Sequence, residues 1–329
     1  MRPILWLGVT SVDRFICSLR VQLSITAVAF FTLNGCRSET RSLSDATHQF
    51  IREESSQPTL PPSIESMSGQ QMYAALCVAC HGTEGDGTGP GARSVWPPPR
   101  NFRRDKFRLV SAENRVPSSA DIERVIHRGM PGTSMASFEA LNDQQRKMIA
   151  KEVLRLRHEG LRDRTIHEMQ LEGVPIVEEE IEATIRRATL PSETVAVPDI
   201  ASSDLQGIER GRHIYCQQRC DSCHGQDGMG AWDVYLRDDG GSPTRPRDLA
   251  HEPFKGGHEP EAIYLRLRLG MPGTPHPSSP SLSEQESINL VHYCRSLSRE
   301  PKLQLTGHQR RMWATSKSYL RSQGKAEPY

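Results

Sequence analysis

Two short cysteine- and histidine-containing motifs are the residues of this 329-residue chain that are best suited to chemistry. Both read C-x-x-C-H: the first consists of Cys77, Cys80 and His81, and the second of Cys220, Cys223 and His224. Two thiols at this spacing can add to the two vinyl groups of one porphyrin, and the imidazole that follows can then ligate its iron. A zinc site would need four nearby ligands, and a thiol–disulfide exchange site would need neither the histidine nor a second copy. The sequence therefore predicts two covalent haem c groups, with both histidines as iron ligands.

The similarity between the two copies extends well beyond the motifs. Each copy has Gly-x-x-x-Tyr before the motif, then a glycine-rich loop and a Pro-Arg segment, and finally Gly-Met-Pro-Gly-Thr. The first, third and last of these patterns begin at Gly69 and Gly211, at Pro99 and Pro246, and at Gly129 and Gly270. Self-similarity of this kind indicates an internal duplication.

Helix signals recur at matching places in the two copies. Hydrophobic spacing predicts helices over 120–127 and 143–157 in the first copy and over 261–269 and 284–296 in the second. Pro260 suits a first helical position, and Ser283 with Glu286 forms a capping-box pattern. The chain is therefore expected to be all-α, with the haem motifs and late loops between helices.

The order of these features resembles the class I cytochrome c fold and is similar to periplasmic di-haem cytochromes of bacterial respiratory chains. The resemblance covers about 66–158 and 205–300. It implies two tandem all-α domains, 65–158 and 205–300, each with its first and last helices crossing near one haem. It also implies that each iron lies between the motif histidine and a ligand from the late loop.

The late loops of the two copies offer different distal ligands. In the first loop the resemblance favours Met135 over Met130, because family members usually place the ligating methionine after Gly-Thr. The residue aligned with Met135 in the second loop is His276, with Met271 as the alternative. His–Met ligation raises a reduction potential, so a bis-His second haem should have the lower one.

Two arginines and two cysteines complete the candidate residues. Arg100 and Arg247 occupy matching positions, and a guanidinium can pair with a haem propionate; a solvated arginine is the alternative. Cys216 and Cys294 fall on helices that should cross, so a disulfide is possible in an oxidising compartment.

The N-terminal segment has the features of an export signal. An apolar run over 21–33 follows two arginines and ends in Leu-Asn-Gly-Cys, which resembles a bacterial lipobox at Cys36. The expected result is a protein tethered by lipid to the membrane on the periplasmic side, with 1–36 as the signal and 37–64 as a flexible spacer. An uncleaved anchor or an ordinary cleaved signal are the alternatives.

Charge and composition narrow the function further. The net charge of +1 argues against nucleic-acid binding. Residues 159–204 are interpreted as an acidic linker and 301–329 as a basic tail, and either could contact a partner. The favoured function is electron transfer between a redox donor and a redox acceptor. A di-haem peroxidase-type enzyme and a haem subunit of a larger complex are the alternatives, although no catalytic constellation stands out.

Overall fold

The computed structural model describes residues 63–230 and 236–300, together with the single positions 302, 306, 309, 311 and 312. The predicted signal 1–36 with Cys36, nearly all of the spacer 37–64 and most of the tail 301–329 lie outside the described residues. In the described part, no helix combines the length and the apolar character that crossing a membrane requires.

The first part of the described chain contains five α-helices. They are α1 (Gly69–Leu76), α2 (Val78–His81), α3 (Ser119–Arg128), α4 (Asp143–Glu172) and α5 (Glu178–Thr189). Capping boxes open three of them, because the side chains of Ser68, Ser118 and Asn142 each accept the backbone N–H three residues on. The predicted start of the helix at residue 143 is therefore set by Asn142.

The second part repeats the order of the first four helices and adds a short hairpin. Its elements are α6 (Leu205–Gln217), α7 (Asp221–His224), β1 (Leu236–Arg237), β2 (Pro243–Thr244), α8 (Pro260–Leu269) and α9 (Glu284–Ser296). Strands β1 and β2 pair antiparallel. Pro260 occupies the first position of α8, and the predicted capping box of Ser283 and Glu286 opens α9.

Each half is built around a crossing of two helices, the one before its haem motif and the one after its late loop. Helix α1 packs on α4 and α6 packs on α9. A Cβ atom on Gly69 would overlap the carbonyl oxygen of Met148, and one on Gly211 would overlap that of Asn289. The glycine of Gly-x-x-x-Tyr is therefore the residue that allows the backbones to approach, and the crossing implied by the family resemblance is present in both halves.

Residues 159–204, expected to be an acidic linker, are largely folded. Helix α4 continues past its expected end at residue 157, and α5 folds back against it. Ile181 and Ile185 are fully buried in a small cluster with Leu161. Arg162 donates hydrogen bonds to Glu178 at 2.5 Å and to Glu182 at 3.0 Å. The acidic character that suggested a linker belongs to the solvent-facing side of an amphipathic helical hairpin.

The segment after α5, residues 190–200, contacts both domains and is called the strap. On the first domain, Val195 donates its backbone N–H to Ser111 at 2.9 Å, and Thr194 forms an isolated antiparallel bridge with Ala112. Further along, the strap packs Val195, Val197 and Ile200 against the core of the second domain. The connection between the domains is therefore bound along its length.

The possible disulfide between Cys216 and Cys294 is absent, and both thiols are free. Cys216 is exposed on α6, whereas Cys294 is buried on α9. The helices do cross, but of these two residues Cys294 faces the core of the second domain and Cys216 faces solvent.

Candidate haem sites

The C-x-x-C-H motifs form matching one-turn helices whose histidines are anchored in the same way. Nδ1 of His81 lies 3.0 Å from the carbonyl oxygen of Arg100, and Nδ1 of His224 lies 2.9 Å from that of Arg247. A carbonyl oxygen can only accept, so Nδ1 carries the proton and Nε2 keeps its lone pair. This orientation is typical of a metal-ligating histidine.

Burial sets the protonation states of these motifs. It lowers the pKa of both His81 and His224, which favours the neutral imidazole that a metal requires. Burial also raises the pKa of Cys77 and of Cys220 to about 11. Before haem is attached, both cysteines are therefore protonated thiols at neutral pH, unlike the low-pKa thiolates of exchange sites.

A tyrosine fixes the chain just after each motif. The hydroxyl of Tyr73 donates to the carbonyl oxygen of Gly82 at 2.8 Å, and that of Tyr215 donates to Gly225 at 2.7 Å. Burial raises the pKa of both phenols, so they remain protonated donors. Both glycines have a positive φ, 78° and 74°, which lets the chain turn directly after the histidine.

The two late loops have the same internal geometry, so their candidate ligands are structurally equivalent. The backbone N–H of Met130 donates to the carbonyl oxygen of Met135 at 3.1 Å, and that of Met271 donates to His276 at 3.2 Å. The N–H groups of Met135 and His276 each donate to the threonine hydroxyl two residues earlier, both at 3.2 Å. Met135 and His276 thus occupy one position in two copies of the same loop, and Met130 and Met271 occupy another.

The spacing of two imidazoles in the second domain fits an iron between them. The ring centroids of His224 and His276 are 6.2 Å apart. Two metal–nitrogen bonds of about 2.0–2.1 Å, plus about 1.2 Å from each nitrogen to its ring centroid, span about 6.4 Å. Burial lowers the pKa of His276 to about 4, so this imidazole too is neutral at physiological pH. The donor set and its geometry therefore fit a bis-His haem.

In the first domain, aromatic rings pack beside the proximal histidine. Phe102 stacks on His81 with ring centroids 4.4 Å apart, and Phe107 stacks on Phe102 at 5.8 Å. The guanidinium of Arg157 lies 5.2 Å from the ring centroid of Phe107. These rings were not singled out as site residues from the sequence, although the Pro-Arg-Asn-Phe pattern contains one of them.

Arg100 and Arg247, the predicted propionate partners, have side chains that pair with carboxylates of their own domains. Arg100 contacts Asp105 at 3.2 Å, and Arg247 contacts Glu252 at 2.9 Å. Each guanidinium also reaches the other domain, because Arg247 lies against Gly132 of the first late loop and Arg100 lies near Gly273 of the second. A guanidinium has five N–H donors, so one carboxylate does not exhaust either arginine.

Charged residues also join the two domains away from the haem motifs. Arg108 pairs with Asp238 at 3.0 Å, Lys106 with Asp239 at 3.2 Å, and Arg128 with Glu259 at 2.8 Å. From the second domain, Arg266 of α8 donates hydrogen bonds to the carbonyl oxygens of Arg108 and Val110 in the first domain. Beside these contacts is a cavity of about 680 Å³ between the second late loop and first-domain residues that include Lys106 and Arg157. The sequence carried no local signal for these pairs, because their partners are more than a hundred residues apart.

Comparison with known proteins identifies the family to which the chain belongs. Residues 66–153 and 208–298 match the family Cytochrome c, and no curated protein matches the chain. A similar solved structure is a chain of the Kuenenia stuttgartiensis reducing HAO-like protein complex Kustc0457/Kustc0458. It has 31% identity and a TM-score of 0.54, and the match covers 70% of this chain and 95% of that chain. The protein therefore belongs to the cytochrome c family, as a mostly helical electron-transfer cytochrome with two cytochrome c domains and two covalently bound haem c groups.

Proposed function

We propose that this di-haem cytochrome holds each iron between two protein ligands, His81 with Met135 in the first domain and His224 with His276 in the second. The observation that carries the proposal is the 6.2 Å separation of the His224 and His276 ring centroids. The identical loop geometry around Met135 supports the corresponding assignment in the first domain. Cys77 and Cys80 would form the thioethers of the first haem, and Cys220 and Cys223 those of the second.

The protein's own contribution is to hold these ligands rigidly while an electron is gained or lost. Haem, when bound, supplies the one-electron chemistry. The carbonyl groups of Arg100 and Arg247 orient the proximal imidazoles by accepting Nδ1–H, and burial keeps these imidazoles neutral. The remaining N–H donors of the same two arginines are suited to the propionates, whose negative charge they would balance.

Two-ligand coordination also separates a carrier from an enzyme. A peroxidase needs an open or releasable coordination position, and in the proposed arrangement both irons have their distal ligand. We therefore place this protein among electron carriers without a reaction of their own.

The cellular setting is proposed from the sequence and from the structural neighbour. The signal-like 1–36 segment supports export, and the lipobox-like Cys36 supports a lipid anchor at the periplasmic side of the membrane. The similar structure belongs to a complex of two proteins, which supports a redox protein as the partner of this chain. The donor and acceptor are accordingly other redox proteins.

A spectroscopic redox titration with low-temperature electron paramagnetic resonance tests the ligand assignment on full-length protein that carries both haems. We expect two low-spin haems, one His–Met and one bis-His, with the bis-His haem at the lower potential. A high-spin haem that reacts with peroxide would refute the carrier proposal.

Single substitutions separate each proposed ligand from its neighbour in the same loop. His276→Ala should alter only the second haem, whereas Met271→Ala should leave its low-spin signal in place. Likewise, Met135→Ala should alter only the first haem, and Met130→Ala is its matched control. The assignments fail if the Met271 or Met130 variant, rather than its partner, loses the low-spin signal.

A further inference from the structure

We propose that four charged residues, two from each side of the domain boundary, position the distal ligand of the second haem. These residues are Lys106 and Arg108 of the first domain and Asp238 and Asp239 of the hairpin, and together they are called the interdomain brace. The inference rests on the proposed role of His276 as that ligand, and it adds the residues that determine the position of the His276 side chain.

The first step is that the imidazole of His276 has no hydrogen-bond partner outside its own loop in the described structure. The proximal His224 donates Nδ1–H to the carbonyl oxygen of Arg247. Nδ1 of His276 is buried and has no hydrogen-bond partner in the described structure. A ligating histidine is normally oriented by the hydrogen bond of its second nitrogen. The orientation of His276 must therefore come from the loop that carries it.

The second step is that the loop is held at its tip from outside. Its internal hydrogen bonds close the loop but do not attach it to the rest of the protein. Where the loop ends, Ser279 donates its backbone N–H to Leu267 of α8 at 2.8 Å. At the loop tip the attachment comes from Asp239, whose backbone N–H donates to the carbonyl oxygen of Gly273 at 3.2 Å. The side chain of Asp239 pairs with Lys106 of the first domain at 3.2 Å. The Cβ atom of Lys106 would in turn lie 3.4 Å from a Cβ on Gly273, so the loop tip fits between the hairpin and the first domain.

The third step identifies Asp238 as the residue on which the brace depends. One of its carboxylate oxygens accepts the backbone N–H groups of Gly240 and Ser242, at 3.1 and 2.9 Å, and so shapes the hairpin turn. The other accepts from Arg108 of the first domain at 3.0 Å. Both side chains of this pair are about nine-tenths buried, with exposures of 10% and 11%. Solvent therefore screens the Arg108–Asp238 pair far less than it screens the exposed Lys106–Asp239 pair.

The fourth step is that the first late loop has no counterpart of this hairpin. The corresponding stretch of the first domain, residues 88–98, contains no strand, whereas residues 236–244 of the second form β1, the turn and β2. The first loop is contacted across the boundary by Arg247 at Gly132. The brace should therefore affect the second haem and leave the first haem as an internal reference.

The test compares Asp238→Asn with the unmodified di-haem protein. Asparagine can still accept the turn N–H groups, but it removes the charge that pairs with Arg108. We expect the midpoint potential of the second haem to shift and its high-spin fraction to rise several-fold, with the first haem unchanged. Midpoint potentials come from the redox titration and spin states from low-temperature electron paramagnetic resonance.

The matched control is Glu259→Gln. This substitution removes another interdomain ion pair, with Arg128, which bonds Gly256 and Glu259 of the second domain rather than the second late loop. We expect both haem signals to remain as in the unmodified protein. An equal shift of the second haem in this control would overturn the proposal, because loosening the domain contact anywhere would then be sufficient.

A second variant covers the case in which Asp238→Asn does not fold, since Arg108 would be left buried without its counter-charge. Arg108→Met with Asp238→Asn removes both charges and should still shift only the second haem. Lys106→Ala, at an exposed position, should shift the midpoint potential of the second haem by a smaller amount. This variant tests the brace if neither Asp238 variant folds. Folded variants with both haem signals unchanged would overturn the brace.

The ligand assignment and the brace fail in different ways. An unmodified protein without a bis-His signal would refute His276 as the ligand and remove the basis of the brace. A bis-His signal that is insensitive to the brace variants would refute the brace alone.

Discussion

The two domains agree closely on the proximal side of their haem sites and differ on the distal side. The proximal histidines are anchored at 3.0 and 2.9 Å, and the tyrosine hydroxyls bond the following carbonyl at 2.8 and 2.7 Å. On the distal side the two loops have the same hydrogen bonds but present a methionine in one domain and a histidine in the other. Only the second loop is held by the hairpin.

This difference shows which parts of a duplicated haem domain can change independently. The helix crossing, the motif turn and the histidine anchor depend on one another, because each fixes the position of the next. The distal residue is a single side chain on a closed loop, so it can be exchanged without altering the loop. If Met135 and His276 are the distal ligands as proposed, the reduction potential can be altered at this residue while the fold is kept.

The largest effect should come from the glycines at the helix crossings, where the domains are alike. Gly69→Ala and Gly211→Ala should each destabilise their domain by about 1–3 kcal/mol, because the new methyl group would overlap a backbone carbonyl. Denaturant unfolding measures the loss. Gly256→Ala is the control, since its Cβ would have no neighbour closer than 3.8 Å. A loss in only one of the two crossing variants would break the proposed equivalence of the domains.

Exchanging the distal ligands should reduce the difference between the reduction potentials of the two haems. His276→Met should raise the potential of the second haem, and Met135→His should lower that of the first, each by on the order of 0.1 V. Redox titration of the two variants measures both shifts. If either exchange leaves both potentials in place, the distal residue is not the source of the difference.

Acid should distinguish the domains, because the distal ligand that we propose for the second haem is a titratable imidazole and that for the first is a methionine. The unfolded imidazole titrates near pH 6.5, whereas burial lowers the pKa of His276 to about 4. Below about pH 6.5 the unfolded chain binds a proton at this imidazole that the folded protein does not bind. The free energy of unfolding is therefore unaffected by His276 above that pH, and it decreases as the pH falls towards 4. Optical spectra recorded during acidification should show the second haem changing first. In His276→Met this early change should disappear, and its persistence would contradict the assignment.

The smallest effect should come from the tyrosine hydroxyls, and it should be equal in the two domains. Tyr73→Phe and Tyr215→Phe each remove one hydrogen bond to a backbone carbonyl. Each should lower the free energy of unfolding by about 1 kcal/mol. Thermal unfolding of the two variants provides the comparison. A cost in only one domain would indicate that the two motif turns are held differently.

The parts of the molecule that follow from local patterns could be predicted from the sequence. The capping box at Ser283 and the proline at position 260 predicted the starts of α9 and α8, because caps and first-turn prolines act within one helical turn. The alignment of Met135 with His276 was also readable, since both follow Gly-Thr in the same loop pattern. The ligand roles themselves remain predictions.

The parts that depend on distant partners could not be predicted. The acidic stretch 159–204 was interpreted as a linker, because its charges are visible in the sequence but the burial of Ile181 and Ile185 against α4 is not. The pairing of Arg108 with Asp238 joins residues 130 positions apart. The different burial of Cys216 and Cys294 depends on which side of each helix faces the core, and an error of one residue in helical phase moves a residue to another side.

The strap determines how the protein could be divided into separately produced halves. A second domain begun at Leu205, its first helical residue, would omit Val195, Val197 and Ile200 and leave part of its core open to water. A first domain ended after α5 would lose the backbone partner of Ser111. Residues 190–200 are therefore needed by both halves at once, and a cut anywhere along them leaves one half incomplete.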